Sequence, residues 1–230
     1  MRRLFIAGVV VAVALAAPSS APAGAPAQAD DRARPGNWVT AWAAGPVVGV
    51  PIPWNPGCPA GTGLTDQTVR NVAFVSAGGD RVRVRLTNTF GQRSIRVAHA
   101  TVAVQASNAD VAPGTLRSLT FGGRKDVTLA AGGRALSDPV QLTVAPLSTL
   151  LVSVFVPGPT GPVTMHPFTA QGNFIANGDA AASPTGSGFT DLPCWLLIDG
   201  IDVQAPTRVV GTVIALGDSI TDTSATTGNR

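Results

Sequence analysis

Residues 81–86 read Arg-Val-Arg-Val-Arg-Leu, and this strict alternation constrains the fold more than any other stretch. Successive side chains of a β-strand point to opposite faces. Val82, Val84 and Leu86 therefore share one face and Arg81, Arg83 and Arg85 the other, whereas a helical period would scatter both sets. The expectation is a half-buried strand with an apolar inner face and a solvated arginine face. The alternative for the three arginines is a stripe that meets an anionic ligand. Composition points the same way. The chain has no Glu and no Tyr and a single lysine, Lys125, so it lacks several good helix formers, while 26 Gly and 19 Pro supply turns.

Further strand candidates lie at 69–75, 95–105, 126–129, 140–144, 150–156 and 195–204. Ala77-Gly78-Gly79-Asp80, Gly122-Gly123, Ala131-Gly132-Gly133 and Pro157-Gly158-Pro159 punctuate them. Many short strands without a 3.6-residue period predict a mainly β fold, an antiparallel β-sandwich or jelly-roll-like domain over residues 38–206. Residues 45–64 and 177–193 are rich in Pro, Gly or Ser and read as two long loops. Asp199 and Asp202 are close in sequence and read as part of a solvated face.

The N-terminus carries a targeting signal. Arg2 and Arg3 precede an uncharged run of 14 residues at 4–17, which is short for a bilayer span. Ala27-Gln28-Ala29 has the small-x-small form of a signal-peptidase site. The expectation is a signal peptide over residues 1–29, cut after Ala29 or earlier near Ala17, then a polar leader over 30–37. An uncleaved anchor is the alternative. The implied location is extracellular, with no stable membrane insertion after cleavage. Removing Arg2 and Arg3 lowers Lys+Arg from 16 to 14 against 13 Asp, so the net charge falls from +3 to +1. Without a basic block, nucleic-acid binding is not expected.

Cys58 and Cys194 do not have zinc-site spacing. In an exported chain they are expected to form one disulfide, with two buried free thiols as the alternative. No HExxH, CxxC or Walker-type loop occurs, so neither a metal nor a cofactor is expected.

After Pro206 the character changes. Residues 209–216 (VVGTVIAL) form a nearly continuous apolar run, suited to a parallel strand buried on both faces. Gly217-Asp218-Ser219 and then Thr221-Asp222-Thr223-Ser224 follow, residues suited to a turn and a helix N-cap. This strand-turn-helix opening puts Ser219 at the carboxyl end of a parallel strand, where ligands bind in α/β folds. Its backbone N–H would lie near a helix N-terminus, which favours negative charge. Gly217 permits the tight turn and Asp218 can brace it.

Ala215-Leu216-Gly217-Asp218-Ser219-Ile220-Thr221-Asp222 resembles the first sequence block of the SGNH/GDSL hydrolase family. Gln67-Thr68-Val69-Arg70, Arg83-Val84-Arg85-Leu86-Thr87-Asn88, Pro113-Gly114-Thr115-Leu116 and Pro159-Thr160-Gly161-Pro162 resemble the N-terminal β-domain of secreted actinobacterial members. The resemblance implies that Ser219 is the nucleophile and a backbone oxyanion donor, supported by Gly217 and Asp218. It implies a carboxylic ester substrate of lipid, carbohydrate or small-molecule type. The family's remaining oxyanion donors, a Gly and an Asn, and its Asp-x-x-His belong to later blocks. The chain ends 11 residues after Ser219, so residues 207–230 are expected to hold only the start of the hydrolase domain. His99 and His166 both precede Ser219, opposite to the family order, and read as structural or surface residues. The resulting expectation is the N-terminal portion of a secreted serine ester hydrolase, inactive in this form. The alternative is a secreted β-sandwich binding module for glycan or cell-surface material with a vestigial motif.

Overall fold

A computed structural model describes residues 37–53, 56–167, 169, 172–205, 214, 216 and 217. Among these the chain is mainly β, and its only helical turn is a 3-10 turn at Pro59–Gly61. The strands in chain order are β1 (Trp38–Ala43), β2 (Gln67–Val75), β3 (Gly79–Thr87), β4 (Ile95–Val97), β5 (His99–Ser107), β6 (Asp110–Val111), β7 (Arg117–Ser118) and β8 (Val127–Leu129). They continue as β9 (Arg134–Leu136), β10 (Val140–Val144), β11 (Ser148–Val156), β12 (Met165–Pro167), β13 (Asn173–Asn177), β14 (Thr190–Leu192), β15 (Cys194–Leu196) and β16 (Ile198–Gln204).

Two antiparallel sheets carry the fold. One runs β1-β16-β3-β10, with β9 also paired to β3; the other runs β14-β13-β2-β11-β5-β6, with β7 also paired to β5. Val82, Val84 and Leu86 of β3 are fully buried, as the alternation at 81–86 requires. They share one apolar core with Ile201 and Val203 of β16 and with Val69, Ala73, Val102, Leu150, Val152 and Val154 of the second sheet. Antiparallel sheets joined through one core are consistent with a β-sandwich. The short pairs β12–β15 and β4–β8 complete the described strands.

The second sheet is covered on its outer face as well. Val72, Ala103, Leu151 and Phe174 form a second apolar cluster there with Ala109, Val111 and the partly buried Phe189. Strands β2 and β11 are therefore buried on both faces along most of their length. The covering layer includes the segment 178–189, which follows β13.

The domain begins and ends at one place. β1 and β16 pair antiparallel, with Trp38 opposite Gln204, and Ala205 N–H donates to Asn37 O at 3.1 Å. Gly79, at the start of β3, lies against the Gln204 backbone, where a Cβ would collide with the carbonyl. Gly79→Ala is therefore expected to destabilise the fold by about 1–3 kcal/mol, the usual cost of overpacking against immovable backbone. Chemical denaturation checks this; an unchanged midpoint would show that the two strands part without cost.

Candidate functional site

The apolar run at 209–216 lies outside the described residues except for Ile214 and Leu216. These two side chains are 84% and 95% exposed. Gly217 beside them is also exposed. Asp218 and Ser219 themselves, the remainder of 207–230 and the segments 1–29 and 30–36 lie outside the described residues.

The two histidines are placed clearly. His99, on the outer face of the second sheet, has Nδ1 at 3.0 Å from a carboxylate oxygen of Asp179. His166, on β12, has Nδ1 at 2.7 Å from Gly45 O, and its ring centroid lies 5.4 Å from that of Trp195. Trp195 also meets Trp42 edge-on at 5.2 Å and donates its indole N–H to Val72 O at 2.6 Å. His99 thus ties a loop to a sheet, and His166 belongs to an aromatic cluster beside the loop that follows β1.

Cys58 and Cys194 form a disulfide, both half-cystines being buried. The bond holds the Pro/Gly-rich loop at 45–64 to β15. Among the described residues no helix is long and apolar enough to cross a membrane, and no His/Cys/Asp cluster has metal-site geometry.

The expectation of a solvated face for Asp199 and Asp202 needs correction. Asp202 and Asp199 are only 6% and 5% exposed. Antiparallel pairing sets Asp202 opposite Arg83, whose Nε donates to its carboxylate at 2.9 Å, while Thr40 Oγ1 donates to the other oxygen at 2.8 Å. Asp199 takes Arg85 Nε at 2.6 Å and Arg134 Nε at 2.8 Å. Gly200 leaves the space that the Arg85 guanidinium fills. Local sequence cannot show this, because the partners of each carboxylate lie more than sixty residues away along the chain.

The chain matches no family model and no curated protein.

Of the buried polar side chains that sequence reasoning missed, Arg70 and Asn88 each bind three or more acceptors. Arg70, in β2, is fully buried. Its Nε donates to Ser153 Oγ at 2.9 Å, and its terminal nitrogens donate to the carbonyls of Ala109, Thr185, Ala180 and Ser183. Its guanidinium also stacks 4.1 Å from the Phe189 ring centroid. Burial pushes this guanidinium down to about 10, against the pull of Asp110. The sequence signal was present: an arginine within a run apolar on both parities, Val69 to Val75, has to find acceptors inside. Asn88 is the second. Its amide donates to the carbonyls of Arg93, Leu129 and Ala130, joining two loops.

Proposed function

We propose that this chain is the N-terminal portion of an exported SGNH/GDSL-type serine ester hydrolase. In this reading the β-sandwich is an accessory domain of jelly-roll-like type, and residues 207–230 open the α/β/α hydrolase domain. Ser219 attacks an ester carbonyl, its backbone N–H helps hold the oxyanion, and water then releases the acyl group. The observation that carries the reading is the Gly217-Asp218-Ser219-Ile220 motif directly after the apolar run at 209–216. The buried disulfide is compatible with an oxidising destination and so with the signal-peptide reading of residues 1–29.

Neither His99 nor His166 is assigned the base in this reading, since both precede Ser219, opposite to the order of the family the motif resembles. Without a base, deprotonation of Ser219 loses an aid worth about 10²–10⁴-fold. The 230-residue chain is therefore expected to show little or no turnover of a p-nitrophenyl short-chain ester. The same protein extended through downstream blocks bearing the Gly, Asn and Asp-x-x-His is expected to be active, and Ser219→Ala to abolish that activity. Sequencing the coding DNA past the Arg230 codon decides whether those blocks follow. An extended protein that keeps its activity with Ser219→Ala would refute the assignment of the nucleophile.

A further inference from the structure

We propose that the outer face of the sheet β1-β16-β3-β10 binds an acidic glycan through a row of arginines. The inference concerns the β-domain and does not rest on Ser219. Alternation places Arg81, Arg83 and Arg85 along β3 at intervals of about 6.8 Å, two residues of strand rise. Arg134 on β9, opposite Thr87, continues the row by a further step. The countercharges lie beside them, Asp202 as the cross-strand neighbour of Arg83 and Asp199 against Arg85 and Arg134. Asp199 and Asp202 are almost fully buried, while the side chains of Arg83, Arg85 and Arg134 remain 26%, 33% and 51% exposed. Solvent therefore meets guanidinium rather than carboxylate.

The arginines are also held in place. Asp202 fixes Arg83 through Nε, and the Trp38 ring lies 4.4 Å from its guanidinium carbon. Asp199 fixes Arg85 and Arg134 through their Nε atoms. Among the described residues, the terminal nitrogens of Arg83 and Arg134 and the whole Arg81 side chain have no hydrogen-bond or ion-pair partner. Four guanidinium groups against two carboxylates leave the face with positive charge in excess. Such pre-positioned forks suit carboxylate, sulfate or phosphate groups repeated along a polymer. Nucleic acid fits less well, since base stacking needs open aromatic faces and the Arg83 guanidinium covers the Trp38 ring. Neighbouring outward positions on the same sheet, Gln141 and Thr143 of β10, are exposed polar groups that suit sugar hydroxyls.

The test uses the full chain, with polygalacturonate, its fully methyl-esterified counterpart and a single-stranded oligonucleotide of matched charge as probes. Polygalacturonate is expected to bind at low ionic strength and to be released as salt shortens the range of the charges. The neutral ester is expected not to bind. Arg81→Gln/Arg134→Gln is expected to weaken binding about tenfold, the loss of two charge-assisted contacts. Both positions are partly exposed, and Arg85 remains on Asp199, so an unchanged thermal midpoint verifies the fold; Arg81→Gln alone repeats the test at a side chain without partners. Ser219→Ala is expected to bind as the parent does, which separates this result from the fate of the nucleophile. Absence of binding at low salt, equal binding of the esterified polymer, indifference to both arginine variants or tighter binding of the oligonucleotide would each overturn the proposal.

Discussion

Arg70→Met is expected to destabilise the fold by about 3 kcal/mol, because five acceptors lose their donor at once, and the two in buried bonds, Ser153 Oγ and Ala109 O, each cost about 1–3 kcal/mol when left unmet. Methionine approximates the aliphatic stem and keeps most of the packing, so the loss reports the hydrogen bonds. The acceptors are Ser153 on β11, the carbonyl before β6 at Ala109, and three carbonyls of the covering segment, Ala180, Ser183 and Thr185. Thr68 and Thr101 hold the same segment from the sheet, through Gly178 and Ala181. Removing Arg70 should therefore release 178–189 first and raise hydrogen exchange there before the whole domain unfolds. The sign with pH also follows. The buried guanidinium has a lowered folded-state pKa of about 10, so below that pH it is charged in both states and the full desolvation cost is present. The parent should gain stability only as pH rises above about 10, and Arg70→Met should lack that rise. Arg70→Lys is expected to recover little, since one ammonium cannot span acceptors arranged around a planar fork. Urea titration of the three proteins checks this; a Met variant within about 1 kcal/mol of the parent would show that water replaces the guanidinium at no cost.

What the sequence disclosed depended on how local the physics was. The alternation at 81–86 identified a strand and its buried face because period and burial are both properties of neighbouring residues. Val140–Val144 was found to the residue for the same reason. The stretch expected as one strand over 95–105 is two, β4 and β5, because Ala98 is where the chain passes from the pair with β8 to the pair with β11. The region 195–204 divides likewise at Leu197, a buried residue with φ of 63°, where the chain leaves β12 and joins β3. A left-handed leucine is unfavourable in isolation and is imposed by tertiary contacts: its N–H donates to Thr164 O, and its carbonyl accepts from Thr87 N–H. Asp199 and Asp202 were misread for a related reason. Two aspartates in a strand look solvated until the partner strand is known. The disulfide was legible from cysteine number and the destination expected from residues 1–29, but the geometry it controls was not.

That geometry makes opening the Cys58–Cys194 bond the other substitution with a large expected effect. The two cysteines are 136 residues apart, and the chain-entropy model assigns a loop of that size about 5 kcal/mol. Cys58→Ala/Cys194→Ala is accordingly expected to cost about 4–5 kcal/mol and to lower the thermal midpoint by about 8–20 °C for a domain of this size. The effect should be concentrated in the loop at 45–64. That loop has no strand ladder of its own; it is held by the Val47–Met165 bridge, by Val163 N–H on Ala60 O at 2.9 Å, and by Thr160 Oγ1, which accepts from Leu64 N–H at 2.9 Å. Gly49 packs tightly against the Val163 backbone and Gly63 against Gly161, so a loosened loop cannot shift by small steps and still keep these contacts. Proteolysis of the reduced or substituted protein should cut within 45–64 before it reaches β2. The aromatic cluster should report the same event, since β15 carries both Cys194 and Trp195 and Trp195 touches Trp42 and His166. A shift in tryptophan fluorescence on reduction, ahead of global unfolding, is the expected signature. Unchanged fluorescence and an unchanged midpoint after reduction would mean that buried contacts alone hold the loop to β15.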